Sequence, residues 1–482
     1  MPSKRKEVTA GSFARDALIN ALATRIAPGR LILETSALAQ WAATTHPVSS
    51  LPQIVIVPGD RAQTIAAVRA LAGSGLSISA IGRGMNIGLG GRIGPTSADV
   101  VLDLNELRVI RSYDSVFGVL DVEPGVSFHD VHEFLRARQS RFFAPAIGGP
   151  ADASLIGNLL QRGEGCGPGG DRLAGLIELE AVTPSGEVVT AGRGRTDRPG
   201  PDLAGLFIQS RAGIVTRASV ALMPLPVGVV EFVLHLGDGA SLAPAFTALR
   251  EAHLRNILEP GAISLWNGAK LTAKHGEGYD PDHWFVSGAI HVASYARAEA
   301  DWADLLACLQ TAGAPSTVVS VRLRHPRDGF GAFLGEPEEG AMATVRSGLR
   351  EPDAPNGRPG FAWVCPSLPF DKRAIEAIAI IRTTSAEAHI GSHTALTSQS
   401  SRTLRGFVSL VWDRSDSDAE ARAMKCHDTL LDRLAQAGFP PFRLGNLSRG
   451  WRPAFPDDTD VVMDRVLRSL ASSRRSPLSS SE

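Results

Sequence analysis

Apolar and polar positions along this chain change period several times, and each change marks an element. Ile54-Val-Ile-Val-Pro58 is a continuous apolar run that predicts a buried strand, and Arg61 to Gly73 sets Ile65, Val68 and Leu71 at helical spacing. Ser77 to Ile81 reads as the next strand. Further strands are predicted at Val100 to Leu104, Arg108 to Arg111 and Gly118 to Val122, with a helix from His129 to Arg138. Leu176 to Val182 and Glu187 to Ala191 flank Pro184-Ser-Gly186, a turn between β-prone arms, so they form a hairpin. Ile214 to Met223 closes this first set, and strands mixed with few helices specify an α+β unit.

After Pro224-Leu-Pro226 the pattern changes. Val229 to Leu236 opens a second unit in which strands such as Phe285 to His291 alternate with helices such as Glu299 to Ala312. That alternation suits an antiparallel sheet with helices on one face. Arg324 to Ala354 is rich in glycine, proline and charge and is expected to be loop or lid. Ala471 to Glu482 is half serine with two arginines, which buries no core, so it is expected to be disordered. The chain thus divides into a helical segment (1–46), a first domain (47–228), a second (229–449), a C-terminal helix returning to the first domain (450–470) and a tail (471–482).

Composition narrows the partners. At 482 residues the chain exceeds one typical core, so two domains are expected. With 49 basic against 50 acidic residues, no electrostatic footprint calls for nucleic acid or an anionic membrane. Cys166, Cys308, Cys365 and Cys426 are scattered without C-x-x-C or zinc spacing, which predicts no metal site and a reducing, cytoplasmic setting. No apolar run reaches a membrane span. The basic start, Met1 to Lys6, is followed only by a short apolar stretch near Ala17 to Ala23, interrupted by Asn20, so no signal peptide is expected.

The candidate chemistry begins at Ser79-Ala-Ile-Gly-Arg-Gly-Met-Asn-Ile-Gly-Leu-Gly-Gly91. Its glycines admit positive φ, so successive N–H groups turn inward as an anion nest with no Cβ to hold a ligand off. The loop reads as a cradle for a diphosphate; a plain connector between strands is the bland alternative. Its spacing departs from G-x-G-x-x-G, and the residues after it look extended rather than helical, which disfavours an ordinary Rossmann turn.

Four segments follow in order: Val100-Val-Leu-Asp-Leu104, Val122-Glu-Pro-Gly-Val126, Ile156-Gly-Asn158 and Gly213-Ile-Val-Thr216. Together with the loop they resemble the flavin domain of the vanillyl-alcohol oxidase and p-cresol methylhydroxylase family. Gly157-Asn-Leu-Leu-Gln-Arg-Gly-Glu-Gly-Cys-Gly-Pro-Gly-Gly-Asp171 resembles the family's 4-alkylphenol branch, whose segment runs G-N-x-x-x-R-G-x-G-Y-x-P-Y-G-D. The likeness continues more loosely through Gly335-Glu-Pro337, Cys365-Pro-Ser-Leu368 and Gly438-Phe-Pro-Pro-Phe-Arg443. It implies a PCMH-type FAD-binding domain plus an antiparallel-sheet-and-helix substrate cap. It assigns FAD to Gly82, Arg83, Gly84, Met85, Asn86, Gly88 and Gly90, to Ser154, Gly157, Asn158, Gly163 and Gly165, and to Gly213, Ile214 and Val215. Related chains end in a D-P-x-x-I-x-x-P-G segment, whereas here Val461 to Leu470 is followed by the serine tail, so one flavin contact is expected to be missing.

In the 4-alkylphenol branch two tyrosines and an arginine hold the substrate as a phenolate, with an aspartate near the flavin. By that resemblance Leu89 occupies the first tyrosine slot, Cys166 the second, and Phe442 precedes the retained Arg443. The aspartate slot falls at Gly149, with Asp152 three residues on as a substitute base or water activator. Each lost hydroxyl removes a charge-assisted hydrogen bond of roughly 1.5–3 kcal/mol, so a simple 4-alkylphenol fits poorly, whereas the Arg443 fork suits a carboxylate. Arg443 also reads as an ordinary ion-paired arginine. Cys166 reads either as a nucleophile or acid with a lowered pKa, or as a small apolar residue. No histidine or tyrosine occurs between Thr394 and Arg414, where relatives attach the flavin, so binding is expected to be non-covalent; His46 and His393 are the nearest alternatives.

The resemblance implies a hydride transfer from a small organic substrate, expected to be anionic, to flavin, with reoxidation by dioxygen or a carrier such as a cytochrome; a homodimer is one expectation for the assembly. The rival is a fold retained as a catalytically inactive binding or assembly subunit.

Overall fold

The computed structural model describes residues 16–472 except 42–43, 48–50, 95–97, 146, 165–171, 195–198, 276–277, 326–358, 449 and 452–457. Gly165, Cys166, Asp171, Gly335 to Pro337 and nearly all of the expected lid and tail lie outside the described residues.

Two sheets build the N-terminal half. The strands Ile54–Ile56, Val100–Asp103 and Ile78–Ile81 pair in parallel, and Leu31–Ile32 adds to Ile54–Ile56 in antiparallel register. The Arg61–Leu71 helix, capped by Asp60, lays Ile65, Val68 and Leu71 on this sheet, as its spacing requires. A five-stranded antiparallel sheet follows, ordered Ile110–Asp114, Val119–Val122, Ile214–Ala221, Leu176–Val182 and Val188–Gly192. The Arg61 guanidinium grips the Glu180 carboxylate through two bonds of 2.6 and 2.9 Å and ties the two sheets together. The helix at Phe128–Ala137 begins with a reciprocal cap between Ser127 and Asp130.

Two local expectations are corrected. The strand expected at 108–111 forms at 110–114, because the Glu123 carboxylate takes the Val109 N–H and the Arg111 guanidinium and shapes the chain ahead of it. After the glycine loop the chain makes a 3₁₀ turn, Gly91–Ile93, instead of running extended, since Gly90, Gly91 and Gly94 all take positive φ.

The C-terminal half is one antiparallel sheet. Its strands run in the order Thr317–Arg324, Gly228–Gly237, Trp284–Val292, Ile263–Asn267, Gly391–Ser398, Thr403–Asp413 and Pro359–Val364, and Ser367–Pro369 also pairs with Thr403–Asp413. Alternation along each strand separates two faces. Leu404, Val408 and Leu410 join Phe246, Leu305, Ile381 and Leu430 of the covering helices in one core. Phe407, Ser409 and Val411 point the other way, into a cavity. The Asp458–Ala471 helix lays Leu467 and Leu470 on the core of the N-terminal five-stranded sheet.

The glycine loop is pinned against the sheet of the second half. Trp363 donates its N–H to the Gly88 carbonyl at 3.3 Å and its indole N–H to the Ile87 carbonyl at 3.1 Å, and Asn446 donates to Leu89 at 3.0 Å. No helix among the described residues is long and apolar enough to cross a membrane.

Candidate cofactor and substrate site

A cavity of about 1270 Å³ runs from the glycine loop to the inner face of the C-terminal sheet. It exceeds the ~300–1,000 Å³ of an ordinary small-molecule site, so it has room for two occupants. At one end it is walled by backbone. Gly82 to Asn86 line it, and a Cβ on Gly82 would stand 2.6 Å from the Pro124 carbonyl oxygen. Gly84 adopts φ +66. Ser154, buried at the start of the Leu155–Leu160 helix, donates to the Pro124 carbonyl at 2.5 Å and accepts from the Gly157 N–H at 2.8 Å, which fixes the wall opposite. Gly157, Asn158, Gly213, Ile214 and Val215 complete it.

Several expected residues do not reach this wall. Gly88 and Gly90 are absent from the lining; a Cβ on Gly88 would meet Trp363 at 2.4 Å, so this glycine serves the docking of loop on sheet. Gly163 packs on the Asn158 side chain. Leu89 is buried against Gly445, away from the cavity. Asp152 lies off the lining too, and its carbonyl accepts from Arg83 Nε at 2.9 Å. His46 is buried elsewhere, beside the Pro47 carbonyl at 3.1 Å.

Arg443 does line the cavity. Its guanidinium lies 5.2 Å from the Phe407 ring centre and 5.6 Å from that of Phe442, and its Nε donates to Cys365 Sγ at 3.4 Å. Two more arginines adjoin it. Arg162 donates to the Phe442 carbonyl at 3.1 Å, and the Arg405 guanidinium lies 4.9 Å from the centre of the Phe442 ring while pairing with Glu164. Burial, then the neighbouring Arg162 and Arg443, lower the Arg405 pKa to about 10, so it is still charged at neutral pH.

The sheet region adds Lys270, which the sequence did not single out, and His393, which it offered only as an alternative point of flavin attachment. Lys270, carried by the Gly268–His275 helix, donates to Ser409 Oγ at 2.6 Å and sits 4.5 Å over the Trp363 ring. His393 lines the same region, its pKa lowered to about 4 by burial and then by Lys270, so its ring is neutral at pH 7. Strand alternation marks Ser409 and Phe407 as partners on one face, but only the fold shows which face meets the cavity.

Residues 52–192 match the family model described as an FAD binding domain. They form an FAD-binding domain. The FAD domain's fit to its cofactor is visible in the cavity: Asn86 Nδ2 and Asn158 Oδ1 are buried there with no protein partner, beside a Cβ-free backbone wall. The chain is 27% identical over 487 aligned positions to the 1'-carboxy-chondrochloren decarboxylase of Chondromyces crocatus, covering 89% of each. It is 29% identical over 209 residues to the flavoprotein subunit of 4-cresol dehydrogenase (hydroxylating) from Pseudomonas putida, covering 40% of this chain and 39% of that one. Its fold is that of p-cresol methylhydroxylase with substrate bound, at a TM-score of 0.79 and 18% identity, covering 95% and 94% of the two chains. The FAD domain and its cap thus have the PCMH-type architecture, and the chain is an FAD-linked oxidoreductase.

Proposed function

We propose that the chain oxidises a small organic substrate that carries a carboxylate or a similar delocalised anion, in a site diverged from that of the 4-alkylphenol branch. The observation that carries this reading is the Arg443 guanidinium at the cavity wall, stacked on Phe407 and Phe442 and oriented through Nε by Cys365. Its terminal N–H groups are left to meet an anion as a fork. When bound, FAD supplies the two-electron acceptor for a hydride from the substrate C–H bond, with dioxygen or a carrier such as a cytochrome as the final acceptor. The remaining work belongs to this chain. Phe407 and Phe442 keep water from the ion pair, which strengthens it. Glu164 pairs with Arg405, which leaves Arg443 as the arginine of the cluster that faces the cavity. His393, neutral at pH 7, lines the cavity across from Ser409 on the adjacent strand.

The decarboxylase aligned over 89% of its length acts, by its name, on a carboxylated compound, which supports an acidic substrate and favours a second reading in which that carboxylate leaves as CO₂ while the C–C electron pair forms a double bond to the neighbouring carbon that gives up its hydride. Departure of neutral CO₂ forfeits the Arg443 ion pair, so a carboxylate held there resists loss. A carboxylate placed against the aromatic wall instead would be destabilised by desolvation. Anaerobic flavin reduction by a series of acids and their neutral amides, with CO₂ measured, tests both. Faster reduction by the acids supports the first reading, and stoichiometric CO₂ selects the second. Equal rates for acid and amide would overturn the anionic assignment.

A further inference from the structure

The register of the cap sheet places one small side chain in the middle of the cavity floor. Ala395 is directly opposite Trp266 on one neighbouring strand and Phe407 on the other. Along its own strand it is followed at two-residue spacing by Thr397 and preceded by His393, which share its face. All five line the cavity. Adjacent strands are about 4.8 Å apart, so the backbones carrying Trp266 and Phe407 are separated by about 9–10 Å with only a methyl group between them. The result is a pit: alanine at the base, two aromatic walls, a hydroxyl at one end and an imidazole at the other. A planar six-membered ring fills such a gap, and dispersion with both walls rewards it.

We propose that Ala395 sets the size and shape of the substrate: the pit over it receives a planar ring, and the acidic group of the same molecule reaches Arg443 beside the Phe407 wall. The acidic half of this statement rests on the function proposed above; the ring half does not. Its geometry follows from register. Arg443 lies 5.2 Å from the centre of that wall, on the edge of the strand where Cys365 holds it and away from Ala395, so the acidic group reaches it past the rim of the Phe407 ring. Any side chain larger than alanine at 395 projects into the gap, because its neighbours on both sides are fixed by the ladder.

The test uses the FAD-loaded protein and three probes: benzoate, benzyl alcohol and butyrate, with binding read by calorimetry and by the fluorescence of Trp266 and Trp363. In Ala395→Leu, benzoate and benzyl alcohol are expected to bind at least about tenfold more weakly, with butyrate unchanged. In Arg443→Ala, benzoate and butyrate should weaken while benzyl alcohol does not. Ala395→Gly should gain affinity for 2-naphthoate, an outcome that misfolding cannot mimic. The pit is overturned if Ala395→Leu binds both ring probes as the parent does, or if no ring compound binds the parent. It is overturned also if Ala395→Leu loses FAD, since the isoalloxazine would then be the ring in the pit. Loss of ring binding in Ala395→Leu together with acid binding unaffected by Arg443→Ala would keep the pit and remove the anionic reading.

Discussion

Arg162 donates to the backbone carbonyl of Phe442 across 3.1 Å, joining the glycine-rich segment of the FAD domain to the residue that precedes Arg443. The two residues are 280 positions apart in sequence. The bond holds the loop that carries Arg443 against the domain that holds the flavin, and Gln209 repeats the tie by donating to the Leu444 carbonyl at 3.0 Å. The loop that carries Arg443 is therefore fixed to the FAD domain at two points.

The backbone wall should govern FAD binding. Gly82→Val and Gly84→Val are expected to yield protein without flavin absorbance even after incubation with FAD, because a side chain at 82 meets Pro124 and the 84 position has φ +66. Gly88→Ala acts differently: its Cβ meets Trp363, so it should destabilise the fold by about 1–3 kcal/mol, read from denaturant midpoints, while the folded fraction still binds FAD. Flavin retained by both valine variants would contradict the cradle.

The flavin should leave the polypeptide on acid precipitation. The strand Thr403–Asp413, to which the resemblance assigns flavin attachment, carries no histidine or tyrosine. Colour remaining in the pellet, or a peptide carrying the FAD mass, would reverse this expectation.

Arg443→Ala should lower kcat/KM for an acidic substrate by about a hundredfold or more, and Arg443→Lys should restore only part, since an ammonium cannot reproduce the fork. Unchanged kinetics in the alanine variant would dismiss the anchor.

The buried Glu164–Arg405 pair predicts an asymmetric stability effect. Glu164→Gln leaves Arg405 beside Arg162 and Arg443 with no buried carboxylate on it, so it should cost about 3–5 kcal/mol; Glu164→Gln with Arg405→Met should recover much of that. Chemical denaturation of the three proteins gives the comparison directly.

Acid should destabilise the cap through its buried histidines. His253 and His393 both have pKa values of about 4, lowered first by burial, against 6.5 unfolded. Between those values the unfolded chain binds more protons, so their contribution to stability is full above about pH 6.5 and is lost as pH falls toward 4. Unfolding midpoints at pH 7 and pH 5 should differ, and His253→Phe, which keeps the ring packed on Phe370, should reduce the difference.

The sequence by itself determined the elements whose signal is local. Period two in Val229 to Leu236 and period three to four in Arg61 to Gly73 fix a strand and a helix because each buries one face, and the glycines at 82 and 84 mark a backbone that something must approach. Arg443 was singled out from its motif, and it lines the cavity. Tertiary structure decided the rest. Gly88 and Gly82 are indistinguishable as glycines, and a Cβ on either would strike protein; only the fold shows that Gly82 borders the cavity while Gly88 packs on Trp363 away from it. Lys270, Ala395 and Arg405 have no motif around them, and His393 was named only as an alternative point of flavin attachment; their positions arise from strand order and register, which bring segments more than a hundred residues apart side by side. Pairing across a sheet is a non-local choice made by the burial of both faces, and no window of sequence contains it.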